Sequence, residues 1–497
     1  MLTVFFLFVI LPLVFIAFFP RITTMKWFKY LLLFNAIRLW MFQRAQRTEN
    51  QGRFLTDRET SKLLSAAHQG LAIDGGVGRL TPDASFRNTC IVATTGAGKT
   101  TSFILPNLYS LSHCSIVATD PSGALSEKAA ADLKRRGYTI KILDPVHLAE
   151  SIGYNPLAKA NTHPAMQEIA HILVNNAQQG KGDPFWSQSA ESILGVLIAC
   201  LKNHPQADTY ANLPNLLYLL NEFGDGTPLI DFIAKYTPNE TTFRVYKGFI
   251  SQADRTMQGI ISQAKASLSW VQDPDIARLT TQSTFDFESI RREKTALFLC
   301  IPQNRLGYYA PLLTLFYTQL FHFLLDDDLY SKSSLPVYCL LDEFAHLSIP
   351  HFSSIITTTR ARRVSLSLVL QSISQLEERY GKNGAHTILH GGCASQLYFS
   401  GMDLDTARML RETLGEIPVD TLLPNGSFRR DKEPLMSTAA IRTMASNEII
   451  YLYANLRPIK LTVTPYYDQR DFLKRSQIPF KREKTNLPHP KYVPLNK

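Results

Sequence analysis

The segment Ala93–Thr100, with the sequence ATTGAGKT, constrains the fold of this chain more than any other segment does. It fits the phosphate-binding loop pattern, with Ala93 in place of the usual first glycine. The apolar run TCIV precedes it and the helix-like run TSFILPNLYSL follows it, which is the strand–loop–helix context that such a loop requires. A glycine-rich turn that arises by chance is the alternative. The flanking runs favour a phosphate-binding loop in an α/β fold.

This loop supplies the predicted nucleotide-binding residues. Gly96 and Gly98 let the backbone curl until successive N–H groups face an anion, and the N-terminus of the following helix adds a favourable dipole. Lys99 is expected to reach the β- and γ-phosphates of ATP, and the Thr100 hydroxyl is expected to bind Mg²⁺. The full predicted set is Thr94, Thr95, Gly96, Ala97, Gly98, Lys99, Thr100 and Thr101.

A second motif, PVYCLLDEF at Pro336–Phe344, ends in two carboxylates. A buried strand that delivers Asp342 and Glu343 at its end is the pattern of a Walker B element. Asp342 would hold Mg²⁺ through water, and Glu343 would polarise the attacking water. An ordinary strand that runs into a solvated turn is the alternative. The phosphate-binding loop favours the catalytic interpretation.

Two further catalytic residues are predicted downstream. The run SLSLVLQS indicates a strand that ends at Gln371, where motor ATPases place a polar residue that senses the γ-phosphate. The preceding stretch TTTRARR contains Arg360, Arg362 and Arg363. We expect Arg360 to be an arginine finger that reaches into the site of a neighbouring subunit. A solvated basic turn is the alternative.

Short apolar runs alternate with helical patterns from about residue 86. Such strands, bounded by helices, predict a parallel sheet covered on both faces. Residues 158–285 are helical in pattern, which predicts an all-α domain inserted between two parts of a nucleotide-binding domain, residues 46–157 and 286–472. Two antiparallel strands are expected around Arg457-Pro458. The predicted strands of the sheet are Thr89–Ala93, Ser115–Thr119, Thr139–Leu143, Thr295–Ile301, Val337–Leu341, Ser365–Leu370 and Gln396–Phe399.

Residues 1–45 predict a membrane anchor. Residues 2–20 are uncharged and almost wholly apolar, about enough for a helix to cross a hydrocarbon core of roughly 30 Å. Residues 27–42 form a second apolar stretch, interrupted by Lys29 and Arg38, which is either a short second span or an interfacial helix. Arginines follow, and the positive-inside rule then places the remainder of the chain in the cytoplasm.

The formal net charge of +10 is concentrated in two segments. Residues 21–58 and 470–497 each carry +6, which leaves residues 59–469 at −2. Anionic lipid explains this basic excess as well as DNA does. Residues 473–497 are predicted to be a basic, disordered tail. The six cysteines are scattered without a CxxC pair, which indicates buried thiols in a reducing compartment.

Further stretches carry a family resemblance. They are ATDPSGAL, ILDP, YNPLA, FWSQSAESILGVLIACL, LLDEFAHLSIPHF, QSISQLEERYG and SGMDLDTARMLRETLG. With the phosphate-binding loop, they make residues 70–472 resemble the TraG/TraD-like coupling ATPases of conjugation and type IV secretion, within the FtsK–HerA motor group. One motif departs from the family: the chain has Asp120-Pro-Ser-Gly-Ala124 where the family usually has Asp-Pro-Lys-Gly-Glu.

The resemblance implies a RecA-like P-loop NTPase core with an inserted all-α domain and an anchor in the bacterial inner membrane, with the ATPase domain facing the cytoplasm. It also implies a homo-hexamer that uses ATP with Mg²⁺ and delivers relaxase-bound single-stranded DNA, or protein substrates, to the channel of a type IV secretion system. A double-stranded DNA translocase and a weakly hydrolysing membrane receptor for relaxase complexes are the alternatives. The loop Gln303–Tyr309 either stacks on DNA bases or packs under the helical domain.

Overall fold

The computed structural model describes residues 52–178, 183–223, 227–422 and 428–495. The predicted membrane segments at residues 2–20 and 27–42 lie outside these ranges. Within them, no helix combines the length and the apolar character needed to cross a bilayer. The described residues form two compact units: the larger comprises residues 55–407 with 441–495, and the smaller comprises residues 52–54 with 408–440.

A nine-stranded sheet forms the centre of the larger unit, in the order β11-β10-β7-β1-β6-β5-β2-β4-β3. The seven strands from β7 to β3 are parallel, while β10 is antiparallel to both β7 and β11. All seven predicted strands are present, as is the predicted antiparallel pair. The strands are β1 Thr89–Val92, β2 Ser115–Thr119, β3 Thr139–Leu143, β4 Thr295–Leu299, β5 Val337–Leu341, β6 Val364–Leu370, β7 Ser395–Phe399, β10 Glu448–Tyr453 and β11 Ile459–Thr462.

The central strands are buried along their whole length. Every residue of β1, β2, β4, β5, β6 and β7 is buried, which is why strands such as β4 and β5 are continuous apolar runs rather than alternating ones. One face packs against Phe103, Leu108, Leu125 and Leu133 from the two helical segments that follow β1 and β2. All six cysteines are buried thiols, as predicted.

Helices connect most of the strands and occupy the long connection between β3 and β4. They are α1 Asp57–Leu63, α2 Pro82–Ser85, α3 Leu105–Ser110, α4 Ala124–Arg135, α5 His163–Gln178, α6 Pro184–Asn203, α7 Ala207–Tyr210, α8 Leu213–Asn221, α9 Thr227–Tyr236, α10 Glu240–Ile250, α11 Asp254–Ser267, α12 Pro274–Leu279, α13 Glu288–Arg292, α14 Leu306–Leu325, α15 Phe352–Thr358, α16 Ile373–His386, α17 Leu404–Leu414, α18 Thr438–Arg442 and α19 Arg470–Ser476.

The connection between β3 and β4 is helical from His163 to Leu279, in the region where an inserted all-α domain is predicted. Its helix starts are encoded locally, because several carry a side-chain cap followed by proline. Asp183 caps α6, Asn212 caps α8 and Asp273 caps α12, and in each case the next residues include a proline in the first turn. Helix α6 lies at the centre of this region and is buried almost continuously from Ile193 to Leu201.

The smaller unit contains a hairpin that the sequence pattern did not predict. Strands β8 Glu416–Leu422 and β9 Phe428–Pro434 pair antiparallel. The prediction placed this segment inside the second part of the nucleotide-binding domain. The hairpin was missed because each strand contains a proline and five of the seven residues of β9 are charged, a composition that disfavours strands.

The C-terminal residues are packed on the larger unit, which differs from the predicted disordered tail. Arg475 of α19 donates to Asp132, and Arg482 Nη1 lies 2.5 Å from Asp144 Oδ2. Leu487 and Val493 are buried, although residues 477–495 form neither helix nor strand. The high content of charged residues and prolines predicted disorder. The tail is ordered because its arginines pair with buried aspartates that lie much earlier in the sequence.

Candidate nucleotide site

The phosphate-binding loop connects β1 to a helical segment at the carboxyl edge of the parallel sheet. Gly96 and Gly98 have φ values of 82° and 91°, in the left-handed region that glycine adopts without steric cost. A Cβ at Gly96 would have no atom within 4 Å, so the outer face of the loop is open to an approaching anion. The loop therefore has the backbone conformation that a phosphate-binding loop needs.

The helix that follows the loop begins with a π-helical turn, Thr100–Ile104, and continues as α3. Pro106 explains the wide turn, because a proline lacks the N–H that an α-helix uses and its ring collides with the carbonyl four residues earlier. Asn107 then fixes the helix by accepting a hydrogen bond from Ala72 N at 2.8 Å and donating to Ala72 O at 3.0 Å. The proline is thus accommodated by a change of helical pitch.

Four predicted residues meet at this edge of the sheet. Lys99 Nζ lies 2.7 Å from Glu343 Oε1 and 3.6 Å from Asp342 Oδ1. Gln371 Nε2 donates to Glu343 Oε2 at 2.9 Å and to Oε1 at 3.1 Å. Lys99, Asp342 and Glu343 are each no more than 9% exposed. They come together because β1, β5 and β6 are parallel neighbours, so the residues that follow these strands share one edge.

The backbone at Glu343 is strained. Its φ of 55° lies in the left-handed region, where a residue with a side chain costs about 1–2 kcal/mol. Its N–H donates to Asp342 Oδ1 at 3.1 Å, which turns the chain sharply at the end of β5. Strain of this kind is concentrated at functional sites, and here it directs the Glu343 carboxylate toward Lys99.

The electrostatics of the cluster suit a cation beside Asp342. Burial raises the pKa of the Asp342 carboxyl, Lys99 opposes this rise and the neighbouring Glu343 adds to it. A magnesium ion would reverse the unfavourable burial of that charge. The hydroxyl of Thr100 follows directly after Lys99, so the donor set of one hydroxyl and one carboxylate is chemically suited to Mg²⁺.

Arg360 does not join this cluster within one chain. It belongs to a 3₁₀ turn, Thr359–Arg362, that precedes β6, whereas Gln371 follows β6, and a seven-residue strand spans roughly 20 Å. Arg362 pairs with Asp327 and packs on the Tyr330 ring, and Arg363 donates to the carbonyl oxygens of Lys332 and Ser334. Arg360 is exposed, so it is the arginine of the three that is directed to solvent.

The two tyrosines of the loop Gln303–Tyr309 differ in exposure. Tyr309 is buried. Tyr308 is 45% exposed, and its hydroxyl lies 3.4 Å from Asp273 Oδ2 in the all-helical region. This arrangement matches the packing interpretation for Tyr309 and leaves only Tyr308 with an exposed ring.

Asp120, the first residue of the altered motif, anchors a helix. It is fully buried, and its carboxylate accepts hydrogen bonds from Leu125 N at 3.1 Å and Ser126 N at 2.8 Å at the start of α4. Burial raises the pKa of Asp120, and these hydrogen bonds oppose the rise. Asp120 therefore positions the α4 N-terminus at the same edge of the sheet.

The sequence motifs did not predict that the segment after β7, which contains Gly401, lies beside the phosphate-binding loop. Gly401 has a φ of 76°, and a Cβ at this position would lie 3.5 Å from Thr94 Oγ1. It follows β7, which is the neighbour of β1 on the side away from β6. The motif SGMD contains this glycine, but its closeness to the loop depends on strand order, which the sequence does not state.

Comparison with known proteins identifies the family. The sequence profile described as type IV secretory system conjugative DNA transfer matches residues 42–488. The chain belongs to this family. This result confirms the resemblance to type IV coupling proteins that the sequence motifs indicated.

Individual members of the transfer family are distant in sequence. Protein VirD4 of Rhizobium radiobacter is 25% identical over 429 residues, which cover 81% of this chain and 60% of VirD4. The conjugal transfer protein TraG of Rhizobium radiobacter is 24% identical over 448 residues, which cover 82% of this chain and 67% of TraG. The chain thus spans about 60% of the length of the VirD4 relative.

Solved structures of this type share the fold. The bacterial conjugative coupling protein TrwBdeltaN70 superposes with a TM-score of 0.66 at 17% identity, over 84% of this chain and 93% of that protein. Plasmid coupling protein TrwB in complex with ADP and Mg²⁺ gives a TM-score of 0.64 at 18% identity, over 84% and 94% of the two chains. Together with the observed sheet, these similarities establish a mixed α/β fold with a large, mostly parallel sheet.

Proposed function

We propose that this chain is the ATP-hydrolysing coupling protein of a conjugation or type IV secretion apparatus, and that it drives relaxase-bound single-stranded DNA, or protein substrates, into the secretion channel. The observation that carries the proposal is the buried Lys99–Glu343–Gln371 cluster at the carboxyl edge of the sheet. Membership of the conjugative DNA transfer family supports the choice of cargo. ATP is the proposed substrate.

The geometry suggests a division of roles within the site. The loop N–H groups between Thr94 and Thr101 would hold the phosphates, and Lys99 would exchange its contact with Glu343 for a phosphate oxygen. Glu343 would then accept a proton from the attacking water, with its carboxylate oriented by Gln371. Thr100 and Asp342 would hold Mg²⁺, which would supply neutralisation of the charge that develops on phosphate oxygens.

Arg360 would act between subunits. It is exposed and lies at the amino edge of the sheet, so it would reach a nucleotide only across an interface with a second copy. A closed ring of identical subunits supplies such a head-to-tail interface at every site. We therefore include a homo-hexamer in the proposal, with Arg360 as the finger.

The proposed location is the bacterial inner membrane, with the described residues on the cytoplasmic side. The uncharged stretch 2–20 and the basic residues that follow support this orientation. ATP and the relaxase complex are both available on that side.

The first test is ATP hydrolysis by the detergent-solubilised full chain, with and without single-stranded DNA. We expect DNA to stimulate hydrolysis, and the rate per subunit to rise with protein concentration as rings assemble. Lys99→Ala should abolish turnover, and Lys62→Ala, at an exposed lysine on α1, should not. Turnover by wild-type protein no faster than by Lys99→Ala, with or without DNA, would instead support a receptor that recruits relaxase complexes.

A mixing experiment tests the role of Arg360. Arg360→Ala keeps its own phosphate-binding loop, and Lys99→Ala keeps its own arginine. If the arginine acts across the interface, the mixture of the two inactive proteins regains part of the wild-type rate. Full activity of Arg360→Ala alone would refute the finger role.

A further inference from the structure

The sequence motif QSISQLEERYG supplies Gln371 to the nucleotide site, but that contact does not explain its last three residues, RYG at positions 379–381. Helix α16 begins two residues after Gln371, with Ser372 as its N-cap. It is interrupted at Gly381, whose φ of 71° and ψ of 162° are not helical. The arginine and the tyrosine of RYG therefore end the regular first part of α16, about two turns beyond its start.

The Tyr380 hydroxyl binds the main chain of the segment that follows Glu343. We call this segment, residues 344–349, the post-β5 segment. The hydroxyl donates to Leu347 O at 2.9 Å and accepts from Ile349 N at 3.3 Å. Burial raises the pKa of Tyr380, so the hydroxyl keeps its proton and remains a donor at physiological pH. One hydroxyl thus bonds to a carbonyl and to an N–H of the same short segment.

Two further contacts join α16 to the post-β5 segment. Arg379 Nε donates to Ala345 O at 3.2 Å. The Tyr380 ring stacks on Phe344, with 5.6 Å between the ring centroids and 2° between the ring planes. Phe344 is fully buried, and its ring also lies 4.6 Å from that of Phe352 at the start of α15. The first residue of the post-β5 segment is therefore fixed by rings on two sides.

Glu343 lies between two constrained parts of the chain. Strand β5, which precedes it, is buried within the sheet, and the post-β5 segment, which follows it, is bonded to α16. A residue with a side chain keeps a φ of 55° only where its surroundings over-determine the conformation. Arg379 and Tyr380 supply that constraint on the C-terminal side. Helix α16 thus holds Glu343 twice, at the carboxylate through Gln371 and at the following main chain through these two residues.

We propose that Arg379 and Tyr380 are positioning residues for ATP hydrolysis, which hold the main chain after Glu343 so that its carboxylate faces the nucleotide. This role rests on the proposed function, because it takes Glu343 as the general base. When the post-β5 segment is released, the strained φ of Glu343 relaxes and the carboxylate turns away from its working position. The phosphate-binding loop follows a different strand, β1, so catalysis falls and ATP is still bound.

The main test compares Tyr380→Phe with wild type in the detergent-solubilised full chain. The measurements are steady-state ATP hydrolysis with single-stranded DNA and equilibrium binding of a fluorescent ATP analogue. The variant keeps the ring and loses both hydroxyl hydrogen bonds, so we expect kcat to fall roughly 10- to 30-fold. KM for ATP and Kd for the analogue should stay within about twofold of wild type, which separates positioning from a general loss of structure.

The matched control for this change is Tyr451→Phe. Tyr451 on β10 is fully buried, and its hydroxyl shares a hydrogen bond with Ser395 at 3.1 Å. Its variant loses a buried hydroxyl as Tyr380→Phe does, but away from the post-β5 segment. We expect the thermal stability of Tyr451→Phe to decrease and its kcat to equal that of wild type.

A second variant, Arg379→Ala, tests the same role without changing the core. Arg379 is exposed, so its replacement leaves folding intact. The loss of its hydrogen bond to Ala345 O should lower kcat by about fivefold, again with KM unchanged. Lys382→Ala, at an exposed lysine on the same helix, is the control and should match wild type.

A double variant tests whether Tyr380 acts through Glu343. In Gln371→Ala the carboxylate is already free to rotate, so the addition of Tyr380→Phe should reduce kcat by less than it does alone. A loss equal to the product of the two single losses would show that Tyr380 acts independently of the carboxylate, and it would overturn the proposal.

Two other outcomes are decisive. Wild-type kcat in both Tyr380→Phe and Arg379→Ala, with Glu343→Gln inactive, would overturn the positioning role and leave the proposed function intact. ATP hydrolysis by Glu343→Gln at the wild-type rate would instead overturn the general-base role of Glu343 and the positioning role together. The rate of Glu343→Gln therefore distinguishes the two failures.

Discussion

Replacing Gln371 removes the contact that fixes the orientation of the Glu343 carboxylate, the proposed general base. Gln371 Nε2 donates to both oxygens of Glu343, at 2.9 and 3.1 Å, and Lys99 contacts only one of them. In Gln371→Ala, Glu343 keeps its buried position and its contact with Lys99, but it can rotate about its terminal torsion. The nucleotide-binding loop is unchanged, so the proposed defect is in catalysis and not in binding.

The size of the effect follows from these contacts. A hydrogen bond to a charged group contributes about 1.5–3 kcal/mol. If this orientation is needed mainly in the transition state, its loss lowers kcat by roughly 10- to 150-fold, with KM for ATP little changed. Gln371→Glu should be more severe, because it replaces a donor near Glu343 with a second negative charge that repels the carboxylate.

The assay is steady-state ATP hydrolysis over a range of ATP concentrations, combined with equilibrium binding of a fluorescent ATP analogue. Gln375→Ala, one turn into α16, is the matched control at a residue outside the cluster. A raised KM with wild-type kcat would show that Gln371 binds substrate instead of orienting Glu343. Equal rates for wild type and Gln371→Ala would refute the role entirely.

Three further predictions test other contacts. Arg475→Ala removes two hydrogen bonds to the buried carboxylate of Asp132, so it should lower the free energy of unfolding by about 2–3 kcal/mol, as measured by chemical denaturation. The control Lys474→Ala, on the exposed side of the same helix, should leave the free energy of unfolding unchanged. Gly98→Ala should cost about 1–2 kcal/mol from backbone strain alone and should weaken nucleotide binding, because φ is 91° and the nearest atoms to a new Cβ are 3.5 Å away. Burial raises the pKa of Asp342, so its ionisation increasingly destabilises the fold between the ordinary aspartate pKa and the raised pKa, and fully above it. Asp342→Asn should therefore melt at a higher temperature than wild type at pH 8 and lose magnesium-dependent nucleotide binding, and its thermal advantage should disappear as the pH falls from the raised pKa to the ordinary value.

The strands and the core of the nucleotide site could be predicted from the sequence because their signals are local. A continuous apolar run such as Val337–Leu341 predicts a buried strand, and a carboxylate or amide at its end predicts a residue at the sheet edge. The strand order of the structure then makes β1, β6 and β5 neighbours, which brings Lys99, Glu343 and Gln371 together. The motifs predicted these residues, and the fold supplied the order that joins them.

Features that depend on tertiary partners could not be predicted in this way. The β8–β9 hairpin forms from charged residues whose pattern favours loops, so pairing overrides propensity there. The order of the C-terminal residues depends on Asp132, Asp144 and Asn215, which lie at least 270 positions earlier in the chain. The composition of this segment predicts disorder, but the segment is ordered because these three side chains form hydrogen bonds with it.

The altered motif at Asp120 illustrates the same limit. Read locally, the sequence lacks the lysine and the carboxylate that the family usually places at positions 122 and 124. The structural task of the motif is retained, because Asp120 accepts hydrogen bonds from two N–H groups in the first turn of α4 and Gly123, the N-cap residue, takes the left-handed conformation with a φ of 74°. The tail also brings a cation to this edge: a Cβ at Gly123 would lie 3.4 Å from Arg482 Nη2. The Arg482 guanidinium thus lies beside the motif in which the family's lysine is absent. The charge at this edge of the sheet therefore depends on tertiary contacts and cannot be predicted from the motif alone.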